Sequence, residues 1–267
     1  DTEFAPIPLA GTEFDPFDSE GVDGAVRSAG LVYSSGLGSH AKPLFFLGRL
    51  VEEDERDGQQ VVVAGEELAR DITAPPAMSR GGTILVRRES LQRMLWEKAE
   101  EWGFNRRDNP MGRALAAYGF RDDPETALER MTDREIESAI LHELGELEAG
   151  RTLGGGWEVL LLAVSQSRAE HILRAIRDHL ADATVTLPAL LDRGTEASLH
   201  FYFANLTGLR RALWPALTRA YDGWVKGAGS GRLEAAVAEG RTYWRELAEG
   251  LLAAERGELG EDTLNQM

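Results

Sequence analysis

The sequence predicts an α+β fold, in which a small antiparallel β-rich N-terminal region is followed by a larger all-α helical bundle. The strands are predicted from two apolar-rich segments, 43–53 and 59–68, that flank the turn-forming pair Asp57-Gly58. The helices are predicted from apolar residues that recur every three or four positions after Arg88. The chain therefore divides into an extended arm over residues 1–24, an antiparallel β-rich region over 25–88 and a helical bundle domain over 89–267.

Residues 1–24 are predicted to be an extended arm because prolines interrupt them and acidic side chains are scattered along them. After the hairpin, the run 82–88 is predicted as a third strand. The glycine-rich stretch 35–40, which contains His40, is not followed by a predicted helix. It therefore lacks the context of a phosphate-binding loop and is interpreted as a connection.

The best-specified helix is predicted over Thr132 to Gly150. Thr132 and Glu135 have the spacing of a capping box, in which the two side chains satisfy backbone N–H groups of the first turn. Gly150 is typical of a residue that ends a helix. The apolar stripe between them consists of Ile136, Ile140, Leu144 and Leu147. Gly145 costs the helix ~1 kcal/mol relative to alanine, which indicates close packing there or a cost that is simply tolerated.

Other helices are predicted over 90–102, over 157–180 with a break near Ser165, over 196–213 and over 232–255. Asp123-Pro124-Glu125 has the composition of a helix start, because proline suits the first turn and carboxylates favour the positive end of the helix dipole. Thr195 is predicted to cap the helix over 196–213. Pro215 is predicted to kink or end that helix.

Composition restricts the classes of function. The net charge of −16 opposes binding to nucleic-acid phosphates and to anionic membrane surfaces. The absence of cysteine excludes disulfides, thiolate metal sites and cysteine nucleophiles. No apolar run approaches the ~20 residues that cross a bilayer, and no leader is visible at the start of the sequence. We therefore expect a cytoplasmic, bacterial-type protein that binds neither nucleic acid nor membranes.

One residue pattern is suited to chemistry, His142-Glu143-Leu144-Gly145-Glu146. His142 and Glu146 are one helical turn apart, so both can reach a single divalent metal ion. Glu143 would act as a general base on metal-bound water. The third ligand is expected to be His179, which the helical pattern turns toward the core, or His200, which lies on the most apolar helix. These ligand types suit zinc, manganese or iron, and they predict a metal-dependent hydrolase or oxidase.

The pattern resembles the motif of zinc-dependent helical hydrolases, although that motif has histidine at both ends and Glu146 occupies the second position here. The alternative is that His142 and Glu146 form a solvated, salt-bridged helix face. His179 would then bond to a backbone carbonyl and His200 to Glu196. In that case the chain is a non-catalytic protein-interaction or homo-oligomeric structural protein with no metal site. Its partner, a small molecule or a protein, is not indicated by the sequence.

Overall fold

The computed structural model describes residues 4–38, 42–71 and 75–255. The chain forms two compact units, Asp1–Glu97 and Lys98–Met267. The first unit contains the strands and the second is helical, so the predicted α+β class is confirmed. Within the described residues, no helix is both long enough and apolar enough to span a bilayer.

The N-terminal unit combines a two-stranded hairpin, a five-stranded sheet and a short helix. Its elements are β1 Ile7–Leu9, β2 Thr12–Phe14, α1 Ser19–Arg27, β3 Leu31–Leu37, β4 Pro43–Arg56, β5 Gln59–Arg70, β6 Ala77–Arg80 and β7 Thr83–Arg87. Helix α2, Arg88–Asn105, follows β7 directly. Part of the predicted connection over 35–40 is therefore the end of β3, and His40 lies outside the described residues.

The strand order of the larger sheet is β3-β4-β5-β7-β6. Asp57 and Gly58 join β4 to β5 with φ values of 53° and 72°, the left-handed pair that a tight hairpin turn requires, so the predicted hairpin is confirmed. The sheet is mixed rather than antiparallel throughout, because β5 and β7 run parallel. The chain passes to the sheet edge as β6 and turns back, which places β7 beside β5 in the same direction.

The segment predicted as an extended arm contains β1, β2 and α1 instead. Asp18 caps α1 by accepting a hydrogen bond of 2.9 Å from the backbone N–H of Gly21. Val22 and Val26 bury one face of α1 against Tyr33 of β3. The acidic residues that suggested a solvated arm therefore belong largely to the polar side of a short helix and its cap.

The C-terminal unit is a helical assembly around one large apolar core. Its elements after α2 are α3 Pro110–Tyr118, α4 Pro124–Leu153, α5 Gly155–Ala163, α6 Arg168–Ala181, a π-helical turn Asp182–Thr186, α7 Leu187–Asp192, α8 Glu196–Asn205, α9 Gly208–Leu213, α10 Pro215–Val225 and α11 Gly231–Glu255. The largest fully buried side chains of the core are Trp157, Tyr221, Ile176, Leu180, Leu187, Leu217 and Leu233.

Most helix boundaries in this unit follow the sequence. The break predicted near Ser165 separates α5 from α6, and the last predicted helix is α11. The single helix predicted over 196–213 is divided into α8 and α9, because Leu206 leaves the helical conformation with ψ near 88°. Pro215 follows the end of α9, as predicted, and starts α10.

Helix α4 begins at Pro124 and not at the predicted cap Thr132, which lies inside it. Asp123 is the N-cap and accepts a hydrogen bond of 3.2 Å from the backbone N–H of Thr126. The Thr132 hydroxyl donates to the carbonyl of Leu128 at 2.7 Å. The helix start predicted at Asp123 and the helix predicted from Thr132 are therefore one helix of 30 residues.

Glu135, predicted as the other half of the capping box, is a buried carboxylate that joins three helices. It accepts hydrogen bonds from the hydroxyls of Tyr118 on α3 at 2.5 Å, Ser138 at 2.5 Å and Ser198 on α8 at 3.0 Å. Burial raises its pKa, although the hydroxyl donors act in the opposite direction. Its role is to hold α3 and α8 on α4.

Gly145 lies where α4 approaches α6. A Cβ at this position would be 2.9 Å from the carbonyl oxygen of Ala181 and 3.3 Å from its Cβ, so close packing is confirmed. We expect Gly145→Ala to lower the free energy of unfolding by about 1–3 kcal/mol, because backbone atoms must move. The matched control in the same helix is Gly150→Ala, which meets nothing within 4 Å and should raise stability by up to about 1 kcal/mol. Urea unfolding distinguishes the two, and equal effects would contradict the packing argument.

Candidate functional site

The structure brings His142 and Glu146 of α4 together, as their one-turn spacing predicts. Nε2 of His142 is 3.3 Å from Oε1 of Glu146. The other ring nitrogen, Nδ1, is 3.4 Å from Oδ1 of Asp182 on the π-helical turn. The side chains of His142 and Glu146 are 35% and 28% exposed, so the pair lies near the surface. Each nitrogen of the imidazole therefore faces a carboxylate.

Asp182 is the buried centre of this group, with a side-chain exposure of 0%. Its Oδ2 accepts a hydrogen bond of 2.7 Å from the hydroxyl of Tyr202 on α8 and a second, shorter one from Nη2 of Arg210 on α9. Burial alone would raise the pKa of Asp182, but the charge of Arg210 and the hydrogen bond with His142 lower it to about 2. Asp182 is therefore a carboxylate at neutral pH.

The π-helical turn has a local cause in the sequence. Pro188 has no N–H, and in a regular α-helix its ring would clash with the carbonyl of Thr184 four residues earlier. The wider turn before it is closed by a bond from the N–H of Leu187 to the carbonyl of Asp182. Single π-turns of this kind are frequent at functional sites. Here the turn places Asp182 within hydrogen-bonding distance of side chains on α4, α8 and α9.

His142 is held as a cation. Burial alone would lower its pKa, but hydrogen bonds and negative charge from Asp182 and Glu146 raise the pKa of His142 to about 10. The hydrogen bond with His142 in turn lowers the pKa of Glu146. Both ring nitrogens therefore donate at neutral pH. An imidazolium has no lone pair with which to bind a metal ion or accept a proton.

Arg177 and Asp178 extend the group outward. Nη2 of Arg177 is 3.5 Å from Oε2 of Glu146, and Oδ2 of Asp178 is 3.8 Å from Nε of Arg210. Burial raises the pKa of Asp178, while Arg210 acts to lower it. We name the whole group the Asp182 cluster: His142, Glu146, Arg177, Asp178, Asp182, Tyr202 and Arg210. Its three basic side chains match its three carboxylates.

His179 is buried in the core beside the cluster and does not bond to His142 or Glu146. Its ring stacks on Trp244 with centroids 4.6 Å apart and meets Trp214 edge-on. Its Nε2–H donates to the carbonyl of Arg210 at 2.9 Å. Burial lowers the pKa of His179 to about 4, so the ring is neutral. This is the carbonyl-bonded core histidine of the alternative interpretation.

His200 and Glu143 also lie apart from the contacts of His142. Nδ1 of His200 is 2.9 Å from the hydroxyl of Tyr221 on α10, and this partner replaces the predicted Glu196. Burial lowers the pKa of His200. Glu143, the predicted general base, is only 9% exposed and is not one of the hydrogen-bond partners of His142.

Two of the predicted metal ligands, His142 and Glu146, are thus adjacent, and His179 and His200 have other partners. Over residues 4–38, 42–71 and 75–255, no three histidine, aspartate or glutamate side chains are grouped so that they could hold a metal ion. A metal bound by His142 would have to displace its proton and one of its two carboxylate partners.

Asp182, Tyr202 and Arg210 were not among the predicted site residues, and no motif marks them. Asp182 had one usable signal, since it follows the core-facing His179 by three positions and therefore shares its helix face. Tyr202 and Arg210 reach Asp182 only through the fold, because they lie on two later helices.

Two family matches together cover nearly the whole chain. Residues 92–266 match the family described as "Family of unknown function (DUF6866) C-terminal domain", and residues 1–87 match the corresponding N-terminal domain. No curated protein and no solved structure matches the chain. The boundary between the two matches falls at the start of α2, close to the division between the compact units. The chain therefore belongs to the DUF6866 family.

Proposed function

We propose that this chain is a non-catalytic protein that acts by binding a protein partner, with the helical unit as its scaffold. The observation that carries the proposal is the position of His142 between two carboxylates, with Nδ1 3.4 Å from Oδ1 of Asp182 and Nε2 3.3 Å from Oε1 of Glu146. These two partners raise the pKa of His142 to about 10 and so favour the cation. A general base or a metal ligand needs the lone pair of a neutral imidazole, and His142 has none at neutral pH. Both ring nitrogens of His142 are thus engaged by carboxylates of the protein itself.

The arrangement of the Asp182 cluster supports a scaffold role. Asp182 connects α4, α8 and α9 through His142, Tyr202 and Arg210. A buried ion pair adds little net stability over apolar packing, but removing one member is costly because the remaining charge is uncompensated. The cluster therefore favours one arrangement of these helices over alternatives that separate the charges.

Charge indicates the kind of partner. With a net charge of −16, the chain repels a second copy of itself and attracts a basic protein surface. We therefore propose a basic protein partner in the cytoplasm, and no nucleic acid or anionic membrane. Light scattering in solution tests the homo-oligomeric alternative: a mass near 29.3 kDa agrees with the proposal, and twice that mass favours the homo-oligomer.

The competing proposal is a metal-dependent hydrolase or oxidase that uses zinc, manganese or iron. It is favoured by one observation, namely that His142 and Glu146 are partly exposed and so are accessible to an ion. Glu143 would then act as the general base, and His179 or His200 would have to change partners to complete the ligand set.

Metal analysis separates the two proposals. We expect purified wild-type protein and His142→Ala to contain no stoichiometric zinc, manganese or iron, and added zinc to leave the unfolding midpoint of both unchanged. Stoichiometric metal in the wild type that is lost in His142→Ala would overturn the non-catalytic proposal. His171→Ala is the matched control, because the only hydrogen bond of the His171 ring within the described residues is to the Ser167 carbonyl.

A further inference from the structure

A pocket of about 290 Å³ opens in the N-terminal unit between α1 and the five-stranded sheet. Its floor is apolar and is formed by Val32, Val62 and Leu85, which are buried side chains of the sheet core, with Met78 beside them. Its charged lining residues are Asp18, Glu20, Asp23, Arg27 and Arg80. The volume is at the small end for ligand sites, which limits the occupant to a compact molecule.

Three of the five charged side chains are engaged within the protein. Asp18 caps α1. Asp23 accepts hydrogen bonds of 2.8 Å from the backbone N–H of Tyr33 and of 2.8 Å from Nε of Arg27. Arg27 also pairs with Glu53 at 3.2 Å. These groups therefore form the wall of the pocket. The charges of Asp23 and Arg27 compensate each other, and the carboxylate of Asp18 is engaged by the backbone of α1.

Glu20 and Arg80 have no such partners. Neither side chain makes a hydrogen bond or an ion pair with another residue in the described part of the chain. Nη1 of Arg80 lies over Gly36, 2.7 Å from the position that a Cβ there would take, so the missing side chain makes room for the guanidinium. Oε1 of Glu20 lies 3.9 Å from the corresponding position at Gly81, the residue after Arg80. One free carboxylate and one free guanidinium thus lie along the same pocket.

We propose that this pocket binds a zwitterionic small molecule with an apolar group, of the class of the apolar α-amino acids. Arg80 pairs with the carboxylate, for which the planar guanidinium is geometrically matched. Glu20 pairs with the ammonium group. The apolar side chain lies on Val32, Val62 and Leu85. Because these three residues are already buried in the sheet core, the gain comes mainly from removing the apolar surface of the ligand from water.

Other ligand classes fit less well. A polyphosphate would meet three carboxylates, those of Asp18, Glu20 and Asp23, and a single free guanidinium. An added peptide strand would need free N–H groups on the edge of β3. The N–H of Tyr33 and the N–H of Ser35 already bond to Asp23 and Ser19 of α1. A purely apolar ligand would gain nothing from the carboxylate of Glu20 or the guanidinium of Arg80, both of which are exposed to water.

Isothermal titration of the full chain with L-leucine, L-methionine and L-phenylalanine tests the proposal. We expect saturable binding to the wild type and a loss on the order of tenfold or more in Arg80→Gln and in Glu20→Gln, since each removes a charged hydrogen bond. Gly36→Ala should also weaken binding, because it displaces the guanidinium without changing its charge. Arg49→Gln, an exposed arginine of the same sheet that lies outside the pocket, is the matched control and should bind as the wild type does.

Two analogues separate a free amino acid from a peptide end. L-Leucinamide lacks the carboxylate and N-acetyl-L-leucine lacks the ammonium group, so both should bind more weakly than L-leucine. Tight binding of leucinamide would overturn the assignment of Arg80. Absence of binding by all three amino acids up to millimolar concentration, in wild-type protein with a cooperative unfolding transition, would overturn the proposal.

Discussion

Asp182→Ala is expected to lower the free energy of unfolding by about 3–5 kcal/mol, which is the usual cost of removing one partner from a buried ion pair. The variant leaves the guanidinium of Arg210 and the imidazolium of His142 without their shared carboxylate, and the hydroxyl of Tyr202 without its acceptor. Urea unfolding followed by circular dichroism measures the loss.

Two further variants make the expectation on Asp182 specific. Asp182→Asn keeps an acceptor for Tyr202 and removes only the charge, so its loss should be smaller than that of Asp182→Ala. Asp192→Ala removes an exposed carboxylate on α7 and should change stability by no more than about 0.5 kcal/mol. If Asp182→Ala costs no more than Asp192→Ala, the cluster does not hold the helices together.

Gly240→Ala is expected to lower the free energy of unfolding. The loss should be at least as large as that of a typical overpacked core, which is about 1–3 kcal/mol. A Cβ at this position of α11 would come within 2.8 Å of two ring carbons of Trp214, and closer still to a third. The Trp214 ring cannot move aside freely, because it is buried against His179 and Trp244. Thermal and urea unfolding should both show the loss.

The matched control for Gly240→Ala is Gly250→Ala in the same helix. A Cβ at Gly250 meets nothing within 4 Å, so the substitution should raise stability by up to about 1 kcal/mol through helix propensity alone. A gain in both variants would contradict the packing of Trp214 on α11.

The sequence predicted those parts of the fold that depend on local rules. The Asp57-Gly58 hairpin and helix α11 follow from turn chemistry and from apolar spacing. The prediction of Thr132 as a helix cap was wrong. The spacing of a capping box also occurs inside helices, and in this chain the helix had already begun after Asp123. The parallel pairing of β5 with β7 depends on where β6 lies in the sheet, which no local pattern reports.

The candidate site, like the fold, was predictable only where its residues are close together in the sequence. His142 and Glu146 were found because they are one turn apart on one helix. Their principal partner, Asp182, is 40 residues after His142, and Arg210 is 28 residues after Asp182. Residues so far apart in the sequence become neighbours only through tertiary packing, which no local pattern reports. The sequence therefore indicated the pair of His142 and Glu146. The protonation state of His142 depends also on Asp182, which only the folded structure places beside it.

The Asp182 cluster and the pocket of the N-terminal unit differ in whether their charged side chains have partners. In the helical unit, the basic side chains of the Asp182 cluster are matched by carboxylates of the same cluster. In the N-terminal unit, Glu20 and Arg80 line a pocket without partners among the residues that the structure describes. Unmatched charges on an apolar surface are more useful for recognition than matched ones, because a ligand can satisfy them. Binding is therefore the activity that we expect of this chain.

The measurement that tests the central claim most directly is the titration of the His142 imidazole by NMR, with the signal assigned by its loss in His142→Ala. A cation held by Asp182 and Glu146 stays protonated through neutral pH and titrates near pH 10. Titration near the ordinary value of 6.5, or a shift of the resonance on addition of one equivalent of zinc at pH 7, would show that the imidazole is free to act as a base or a ligand.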